Sequence, residues 1–516
     1  MKLAYKVHGL VVVSLLTACS NSDDSRSVSS LDDRLSSVIQ SNALTGDPSA
    51  GRDLVSINEP IAQLGMKLFY SKSLGGDQDA ACVSCHHPAL GGGDDLSLPI
   101  GVGADVHDLL GPGRTHGGGD VEPTVPRNAP TTFNIALWDE VLFHDGRVES
   151  LGKTAGKNGA DGIGIRTPDS AFGSSDPEAG PSLTAAQARF PVTSAAEMRS
   201  DYELGGTNAQ LRARLQARLR DEAPSAGEID VDGADEDGLN NWVSAFEEVY
   251  AATVPSADII TFDRVTEAIA AYEISQVFVD TPWKSYVEGN KSALSDSQKR
   301  GALVFFTSIA DGGAGCSSCH SGDFFTDEAF HNLAMPQIGE GKGNGVSGRD
   351  DFGRMRETSL VSDQYAFRTP TLLNIEHTGP YGHSGAYETL EDVIRHHLNP
   401  SDAIDDYFAA GGQCSNLSQL EGASCEDISG DVAESNTRLA LDKLETDMTA
   451  GLSSLIETEL SDQTVMDLVS FMTALTDPCL EDAMCLSQWI PESSDNTIDG
   501  NQINGEDENA SPLVVN

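Results

Sequence analysis

The stretches CVSCH, at residues 82–86, and CSSCH, at residues 316–320, decide the fold of this chain. In a C-x-x-C-H motif the two sulfurs can form thioether links to a porphyrin, while the adjacent histidine reaches the iron from one face. A four-cysteine zinc site usually draws its pairs from closer in the sequence, and neither zinc nor a thioredoxin-like redox pair explains a histidine after both pairs. The motifs therefore predict two covalently bound haems. The predicted attachment residues are Cys82, Cys85 and His86 for the first haem and Cys316, Cys319 and His320 for the second.

The sequence around the two motifs repeats. Gly65, Leu68 and Phe69 precede the first motif, as Gly301, Val304 and Phe305 precede the second, each set at the end of a predicted helix. Seven further residues recur downstream in the same order: Pro130, Thr131, Asn134, Ile135, His144, Gly146 and Leu151 match Pro370, Thr371, Asn374, Ile375, His383, Gly385 and Leu390. A duplicated haem domain explains such a repeat. Because helical periodicity dominates elsewhere, we expect a mainly helical fold.

The N-terminus has the features of an export signal. Two lysines precede an apolar run from Leu10 to Leu16, which is too short to span a bilayer. The tetrad LTAC at 16–19 resembles a bacterial lipobox, which implies cleavage before Cys19 and lipid attachment to its sulfur; an ordinary signal peptide with an incidental cysteine is the alternative. Ser20 then favours the outer membrane, by resemblance to sorted lipoproteins.

The nine cysteines divide without remainder. Cys19 is one, the two motifs use four, and Cys414, Cys425, Cys479 and Cys485 are left. In an exported protein near neighbours close short disulfide loops, so pairs 414–425 and 479–485 are expected, although sequence alone does not prove the pairing.

The charge balance argues against some partners. The 80 acidic and 32 basic residues give a formal charge of −48, which repels nucleic acid and anionic lipid headgroups. Nucleic acid is therefore not an expected partner, and the membrane is expected only through a lipid anchor. A generally acidic surface explains the excess more simply than a basic electron donor does.

Three phrases resemble the di-haem cytochrome c peroxidase and MauG superfamily: RNAPT at 127–131, DGR at 145–147, and FRTPTLLNIEHTGPYGHSG at 367–385. The resemblance covers nearly all of residues 55–480. It implies two cytochrome c-like domains, an N-terminal peroxidatic haem and a C-terminal electron-transfer haem, with a calcium ion between them. The expected organisation is a signal peptide at 1–19, a polar tether at 20–50, haem domains at 51–290 and 291–490, and an acidic polar tail at 491–516.

The same resemblance implies the acid/base group of the first haem. Gln187, Ala188, Pro191, Glu197 and Met198 match the family phrase QA..P.....EM. Glu197 is then expected to move the peroxide proton, with Gln187 as its positioning partner. The alternative is a capping box, because Ser194 and Glu197 also form an S-x-x-E pattern at a helix start.

At the second haem the far-side ligand is expected on the helix after His383. Leu390, Val393, Ile394 and His397 recur at helical spacing, which predicts that His397 lies on the buried face and His396 off it. The resemblance points to the same position, where peroxidases generally have methionine and MauG a tyrosine. A bis-histidine centre is expected to be a weaker oxidant than a methionine-ligated one. The alternative is that His397 is an ordinary core histidine.

Other site residues follow from the resemblance. Asn128, with the backbone carbonyls of Thr378 and Pro380, matches the family's calcium site, an oxygen ligand set that suits this ion. His144 stands where many relatives have a tryptophan between the haems, which weakens the case for an aromatic relay. The resting sixth ligand of the first haem stays open between His107, His116 and none.

The leading functional prediction is reduction of hydrogen peroxide to water, with electrons from a small redox protein. A MauG-like oxidation of a residue on a partner protein is the second possibility within the family. The non-enzymatic alternative is a di-haem electron carrier, in which Glu197 serves only as a helix cap. The sequence leaves the oligomeric state open, a homodimer included.

Overall fold

The computed structural model describes residues 30–116, 125–220, 241–250, 259–412, 430–492 and 498–513. The fold is mainly helical, as expected. In chain order the α-helices of the described residues, α1 to α14, are Leu31–Ser41, Pro60–Tyr70, Leu183–Ala188, Asn208–Leu219, Asn241–Tyr250, Phe262–Ile274, Pro282–Val287, Asp296–Phe306, Met355–Thr358, Leu390–Leu398, Pro400–Ala409, Gly430–Thr449, Asp462–Thr473 and Ala483–Leu486.

Short β-strands pair with one another in the segments between the helices. Strands Val141–Leu142, Val148–Ser150 and Ile165–Arg166 form an antiparallel sheet, with Val141 opposite Glu149 and Ser150 opposite Ile165. Strands Phe330–His331 and Phe367–Arg368 form an antiparallel pair.

The first core forms where α2 crosses α6. A Cβ atom on Gly65 would lie 1.8 Å from the Ala268 carbonyl oxygen, so only glycine allows the two helices to approach this closely. The rings of Phe69 and Tyr272, one from each helix, then pack with centroids 4.9 Å apart. Helix α2 ends at Tyr70, and this contact fixes the start of the segment that leads to the first C-x-x-C-H motif at residues 82–86.

The second core repeats this arrangement with α8 and α13. A Cβ atom on Gly301 would lie 1.9 Å from the carbonyl oxygen of Asp467, and the rings of Phe305 and Phe471 lie 5.4 Å apart. Helix α8 leads into the second C-x-x-C-H motif as α2 leads into the first.

Two matched asparagines join the halves. Asn134 and Asn374 both have positive φ angles, 61° and 64°, and both side-chain amides donate to the Phe278 carbonyl, at 3.1 and 2.9 Å. In a second cluster, the buried Arg127 guanidinium forms ion pairs of 2.7 Å with Asp145 and with Asp351. Each of the two clusters therefore joins groups from both halves of the sequence.

The N-terminal stretch differs from the expected polar tether. Residues 31–41 form α1, which begins with a capping box between Ser30 and Asp33. Leu35 is fully buried in the second core, and the Lys299 ammonium lies 2.9 Å from the Asp32 carboxylate. The Ser- and Asp-rich composition concealed an amphipathic pattern, because the polar residues occupy the cap and the outer face.

The C-terminal stretch likewise differs from an extended polar tail. Residues 498–513, here called the C-terminal strap, run along the first core, where Ile503 is fully buried. The Ile503 N–H donates to the Tyr70 carbonyl at 2.8 Å, and the Lys72 N–H donates to the Asn501 carbonyl at 2.9 Å. Backbone hydrogen bonds hold this segment in place. Its residues are too polar for hydrophobic periodicity to predict that it packs on the core.

One of the two expected disulfides lies in the described residues. Cys479 and Cys485 are bonded, as predicted from their spacing. The signal segment, Cys19, Cys414 and Cys425 lie outside the described residues. Within the described part of the chain, no helix has both the length and the apolar character needed to cross a membrane.

Candidate haem sites

The first motif holds its histidine with one ring nitrogen free for a metal. The sequence from Cys82 to Ser84 forms a 3₁₀ turn after α2. His86 Nδ1 donates to the Gly92 carbonyl at 3.1 Å, which fixes the ring and leaves Nε2 as the ligating nitrogen. Burial lowers the pKa of His86, so the ring is held in the neutral, metal-binding form.

The thiols of both motifs are available for attachment. Cys82, Cys85, Cys316 and Cys319 are all free of disulfides. Burial raises the pKa of the Cys82 and Cys85 thiols; the carboxylates of Glu273 at Cys82 and of Asp94 at Cys85 add to this rise, and Glu197 contributes a smaller part at both. The thiols are therefore neutral, and Glu197 lies within electrostatic reach of both.

Glu197 lies in a single π-helical turn, Ala195–Arg199, a conformation frequent at functional sites. The Ser194 hydroxyl accepts from the Glu197 N–H at 3.3 Å, but the Ser194 N–H donates to the Pro191 carbonyl at 3.1 Å. The reciprocal bond of a capping box is thus absent, and no described residue donates a hydrogen bond to the half-buried Glu197 carboxylate. Capping accounts for the Glu197 backbone and leaves its carboxylate unexplained.

Gln187 also carries an unused polar atom. It lies near the end of α3, and its Oε1 is buried with no hydrogen-bond partner among the described residues. Leaving a buried carbonyl oxygen unpaired typically costs about 1–3 kcal/mol. An arriving proton donor such as water would remove that cost.

The second motif faces another histidine. His320 Nδ1 donates to the Phe325 carbonyl at 3.1 Å, and His397 Nδ1 donates to the Val393 carbonyl at 2.7 Å, so both Nε2 atoms are left for a metal. The two ring centroids are 6.3 Å apart. Two imidazoles binding one metal from opposite faces, with bonds of about 2 Å, have centroids about 6 Å apart. The residues therefore fit a haem iron between them.

His396 is a correction to the sequence-based prediction. It is fully buried rather than off the buried face, with Nδ1 accepting from the Tyr387 hydroxyl at 2.8 Å and Nε2 near the Leu333 carbonyl at 2.8 Å. Helix α10 is buried on two sides, which a single apolar stripe does not predict. Because both nitrogens of His396 are engaged, His397 is the histidine left for the metal.

One of the three residues expected to bind calcium lines an open pocket of about 480 Å³. Pro380 lines it, and the Asn128 amide donates to the carbonyls of Leu96 and Ser97, at 2.9 and 3.3 Å. Ser97 lines the same pocket, and Thr378 is adjacent in sequence to two lining residues. Three carboxylates that no motif marked also line it: Asp95, Glu376 and Glu388. Burial, and then the Glu388 carboxylate, raise the pKa of Asp95, so the donor set suits a hard cation.

Of the other candidate histidines, His107 and His144 have side-chain partners, and His116 pairs through its backbone. His107 Nδ1 lies 3.4 Å from the Lys72 ammonium, and the backbone of His116 pairs with Ala104. His144 Nε2 donates to the Asn128 carbonyl at 3.0 Å, and burial lowers the pKa of His144 to about 3. His144 is therefore a neutral hydrogen-bond donor at the interface between the halves.

Lys342 is a residue that sequence reasoning missed. Burial, with the guanidiniums of Arg127 and Arg147, lowers its pKa to about 8, while the carboxylates of Glu197 and Asp145 oppose that shift. A loop of the second half thus brings a cation within electrostatic reach of Glu197. No local motif marks Lys342, because its neighbours come from distant parts of the sequence.

Comparisons with known proteins agree with this geometry. The family model described as di-haem cytochrome c peroxidase matches residues 59–292. Cytochrome c551 peroxidase of Pseudomonas aeruginosa is 26% identical over 338 residues, which cover 66% of this chain and 71% of that protein. The methylamine utilization protein MauG of Methylorubrum extorquens is 27% identical over 335 residues, covering 65% and 67%.

The fold also resembles a solved structure. The diheme peroxidase BthA from Burkholderia thailandensis E264 superposes with a TM-score of 0.50 at 18% identity, covering 88% of this chain and 92% of that one. At this identity the likeness supports the helical fold alone.

Proposed function

We propose, from the premise that this chain belongs to the di-haem cytochrome c peroxidase and MauG family and is an oxidoreductase of that kind, that it reduces hydrogen peroxide to water. The observation that carries the proposal is the half-buried Glu197 carboxylate, which lies within electrostatic reach of the first haem-binding cysteines and accepts no hydrogen bond from a described residue. A carboxylate used only as a cap would be bonded to the helix start.

Two haem c groups are the cofactors that the family implies. In our proposal Cys82 and Cys85 hold the first, with His86 as its ligand, and Cys316 and Cys319 hold the second. When bound, the haems supply the two electrons that peroxide reduction requires. The buried neutral imidazoles and free thiols support this assignment.

At the first site Glu197 carries the proton. Its carboxylate accepts the proton of the inner peroxide oxygen and returns it to the outer oxygen, which leaves as water as the O–O bond breaks. Gln187 Oε1 accepts a hydrogen bond from the bound peroxide and orients it. Two protons and two electrons, added to one peroxide, balance two waters.

At the second site His320 and His397 would both bind the haem iron. Two protein ligands would leave no position for peroxide, so we assign this site to electron transfer. A small redox protein would replace the electrons; oxidation of a residue on a partner protein is the alternative within the family.

We further propose that the two haem domains, near residues 51–290 and 291–490, arose by internal duplication. Matched contacts support this: the Thr131 hydroxyl donates to the Gly91 carbonyl and the Thr371 hydroxyl to the Phe324 carbonyl, both at 2.6 Å. The paired asparagines at Phe278 support it as well.

A calcium ion held by Asn128, Thr378 and Pro380 remains part of the proposal, supported by the oxygen-rich, anionic pocket beside them. Export and lipid anchoring at Cys19, on the periplasmic side or surface of the outer membrane, are proposed from the N-terminal sequence alone.

The test is single-turnover peroxide consumption by Glu197→Gln, with Asp201→Asn as the exposed matched control. Glu197→Gln keeps the side-chain size and removes the titratable proton, so turnover should fall by about 10²–10⁴-fold. Asp201→Asn should react at the wild-type rate. An unchanged rate in Glu197→Gln would leave the electron-carrier function standing.

A further inference from the structure

The C-terminal strap pairs with the loop that packs on Glu197. The Glu506 N–H donates to the Asp108 carbonyl at 2.7 Å, and the Leu110 N–H donates to the Glu506 carbonyl at 3.0 Å. The Asn504 N–H adds a bond of 2.9 Å to the Asp108 carboxylate. The strap therefore extends the loop 100–114 by a short strand-like pairing.

The strap is anchored on its other side to the first core. The Asp499 carboxylate accepts from Trp242 Nε1 at 2.6 Å and from the Ser73 hydroxyl. Gly505, at φ 67°, passes so close to His87 that a Cβ atom would lie 2.9 Å from its Nε2. The strap thus bridges a rigid helix end and a loop with little secondary structure of its own.

Inside the loop one buried arginine organises the backbone. The Arg114 side chain is fully buried. It donates to four loop carbonyls at 2.8–3.1 Å: Ile100, Gly101, His107 and Leu109. Arg114 therefore links the part of the loop that the strap holds, at Leu109, to the part at Gly101.

Gly101 is the contact with the proposed proton carrier. A Cβ atom on Gly101 would lie 2.6 Å from the Glu197 carbonyl oxygen and 2.9 Å from its Cα. The next residue, Val102, donates its N–H to the Ala196 carbonyl at 3.3 Å. The π-helical turn of Glu197 rests directly on this end of the loop.

We infer that the C-terminal strap and Arg114 are positioning elements that hold the Glu197 turn through the loop 100–114. This rests on the proposed role of Glu197. The route runs from Glu506 to Leu109, through the Arg114 guanidinium to Gly101, and from there to the backbone of Glu197. A positioning error near 1 Å can cost about 10²-fold in rate, so loosening this route should slow peroxide turnover.

The test uses Glu506→Pro, which deletes the N–H that donates to Asp108. Glu508→Pro is the matched control: Glu508 is exposed, no described residue accepts its N–H, and it is the second residue of the turn closed by Ala510 and Asp507, where proline is favoured. A chain ending at Glu492 serves as the second variant, removing the strap altogether.

The first readout is hydrogen exchange in peptides covering 101–114. It should quicken at least about tenfold in Glu506→Pro and in the shortened chain, and stay unchanged in Glu508→Pro. Unchanged exchange in both strap variants would overturn the inference, whatever the chemistry of Glu197.

The second readout is peroxide turnover in a double-mutant cycle with Glu197→Gln. Glu506→Pro should slow the wild-type protein by about tenfold and should add little to Glu197→Gln, because both changes act on one group. An equal slowing in both backgrounds, or none in the wild-type background, would overturn the positioning role. If Glu197→Gln alone has no effect, the proposed function fails while the exchange experiment still decides whether the strap holds the loop.

Discussion

The two haem sites share their attachment and differ in what faces the histidine. Each motif follows a helix that crosses a second helix at a glycine, and each histidine donates Nδ1 to a backbone carbonyl at 3.1 Å. Opposite His320 stands His397, whereas the group found within electrostatic reach of the first motif's cysteines is the Glu197 carboxylate. In our proposal the same frame therefore holds an electron-transfer site and a reactive site, which differ in the residues on the side away from the motif histidine.

The difference has a structural origin. His397 projects from the regular helix α10, whose backbone fixes it by a bond to the Val393 carbonyl. Glu197 projects from an irregular π-helical turn whose support comes from a loop. The proposed ligand of the second haem is therefore held by its own helix, while the proposed proton carrier of the first depends on neighbours distant in sequence.

The largest expected effect is that of His397→Ala, which removes the imidazole that faces His320 at the second site. We expect the second haem to lose its low-spin histidine signature and to bind added cyanide, because the sixth position is then open. Near-infrared magnetic circular dichroism follows the ligand. Arg395→Ala, on the exposed side of the same helix, should leave the spectrum unchanged; an unchanged spectrum in His397→Ala would remove this residue from the site.

A substitution of smaller expected effect tests the packing of helix α1 on the second core. Leu35 of α1 is fully buried in the second core, so Leu35→Ala should lower the free energy of unfolding by about 2–5 kcal/mol. Denaturant titration measures the loss. The exposed Arg34→Ala in the same helix is the control. A loss under about 1 kcal/mol would mean that α1 is a loosely attached tether after all.

The smallest effect concerns Glu273, a buried acid of the first core whose counterpart in the second core is Met472. Glu273 follows Tyr272 in α6 as Met472 follows Phe471 in α13, and burial raises the pKa of Glu273 to about 8. A raised acid pKa stabilises the fold below the unfolded value, near pH 4.5, and this stability is lost as pH rises toward 8.

Replacing Glu273 with methionine makes the first core resemble the second. Glu273→Met should remove a slope of at most about 1.4 kcal/mol per pH unit from the unfolding free energy between pH 5 and 8. Denaturation at several pH values measures it, with the exposed Glu267→Met as control. Equal slopes in wild type and Glu273→Met would show that Glu273 is not the group that titrates.

Local motifs made much of this fold predictable from the sequence. The features that depend on contacts between distant segments could not be predicted. The C-x-x-C-H motifs and the helical spacing of His397 are short-range patterns, so sequence reasoning found them. The burial of His396 depends on Tyr387 and Leu333, and the docking of the strap depends on Asp108 and Tyr70. No local pattern reports such contacts.

The two terminal segments also show that composition alone does not predict packing. Composition favoured a free tether and tail, yet α1 packs on the second core and the strap on the first. Polar composition predicts solvent exposure only when the backbone has no partner. Here capping and strand-like pairing provide partners for residues that carry few apolar groups.

The most direct test of the two-site account is a carbon monoxide titration of the fully reduced protein, followed by absorbance. We predict one carbon monoxide bound per chain, at the first haem, while His320 and His397 keep the second haem closed. Binding of two per chain would contradict the closed second site, and binding of none would contradict the open first site on which peroxide reduction depends.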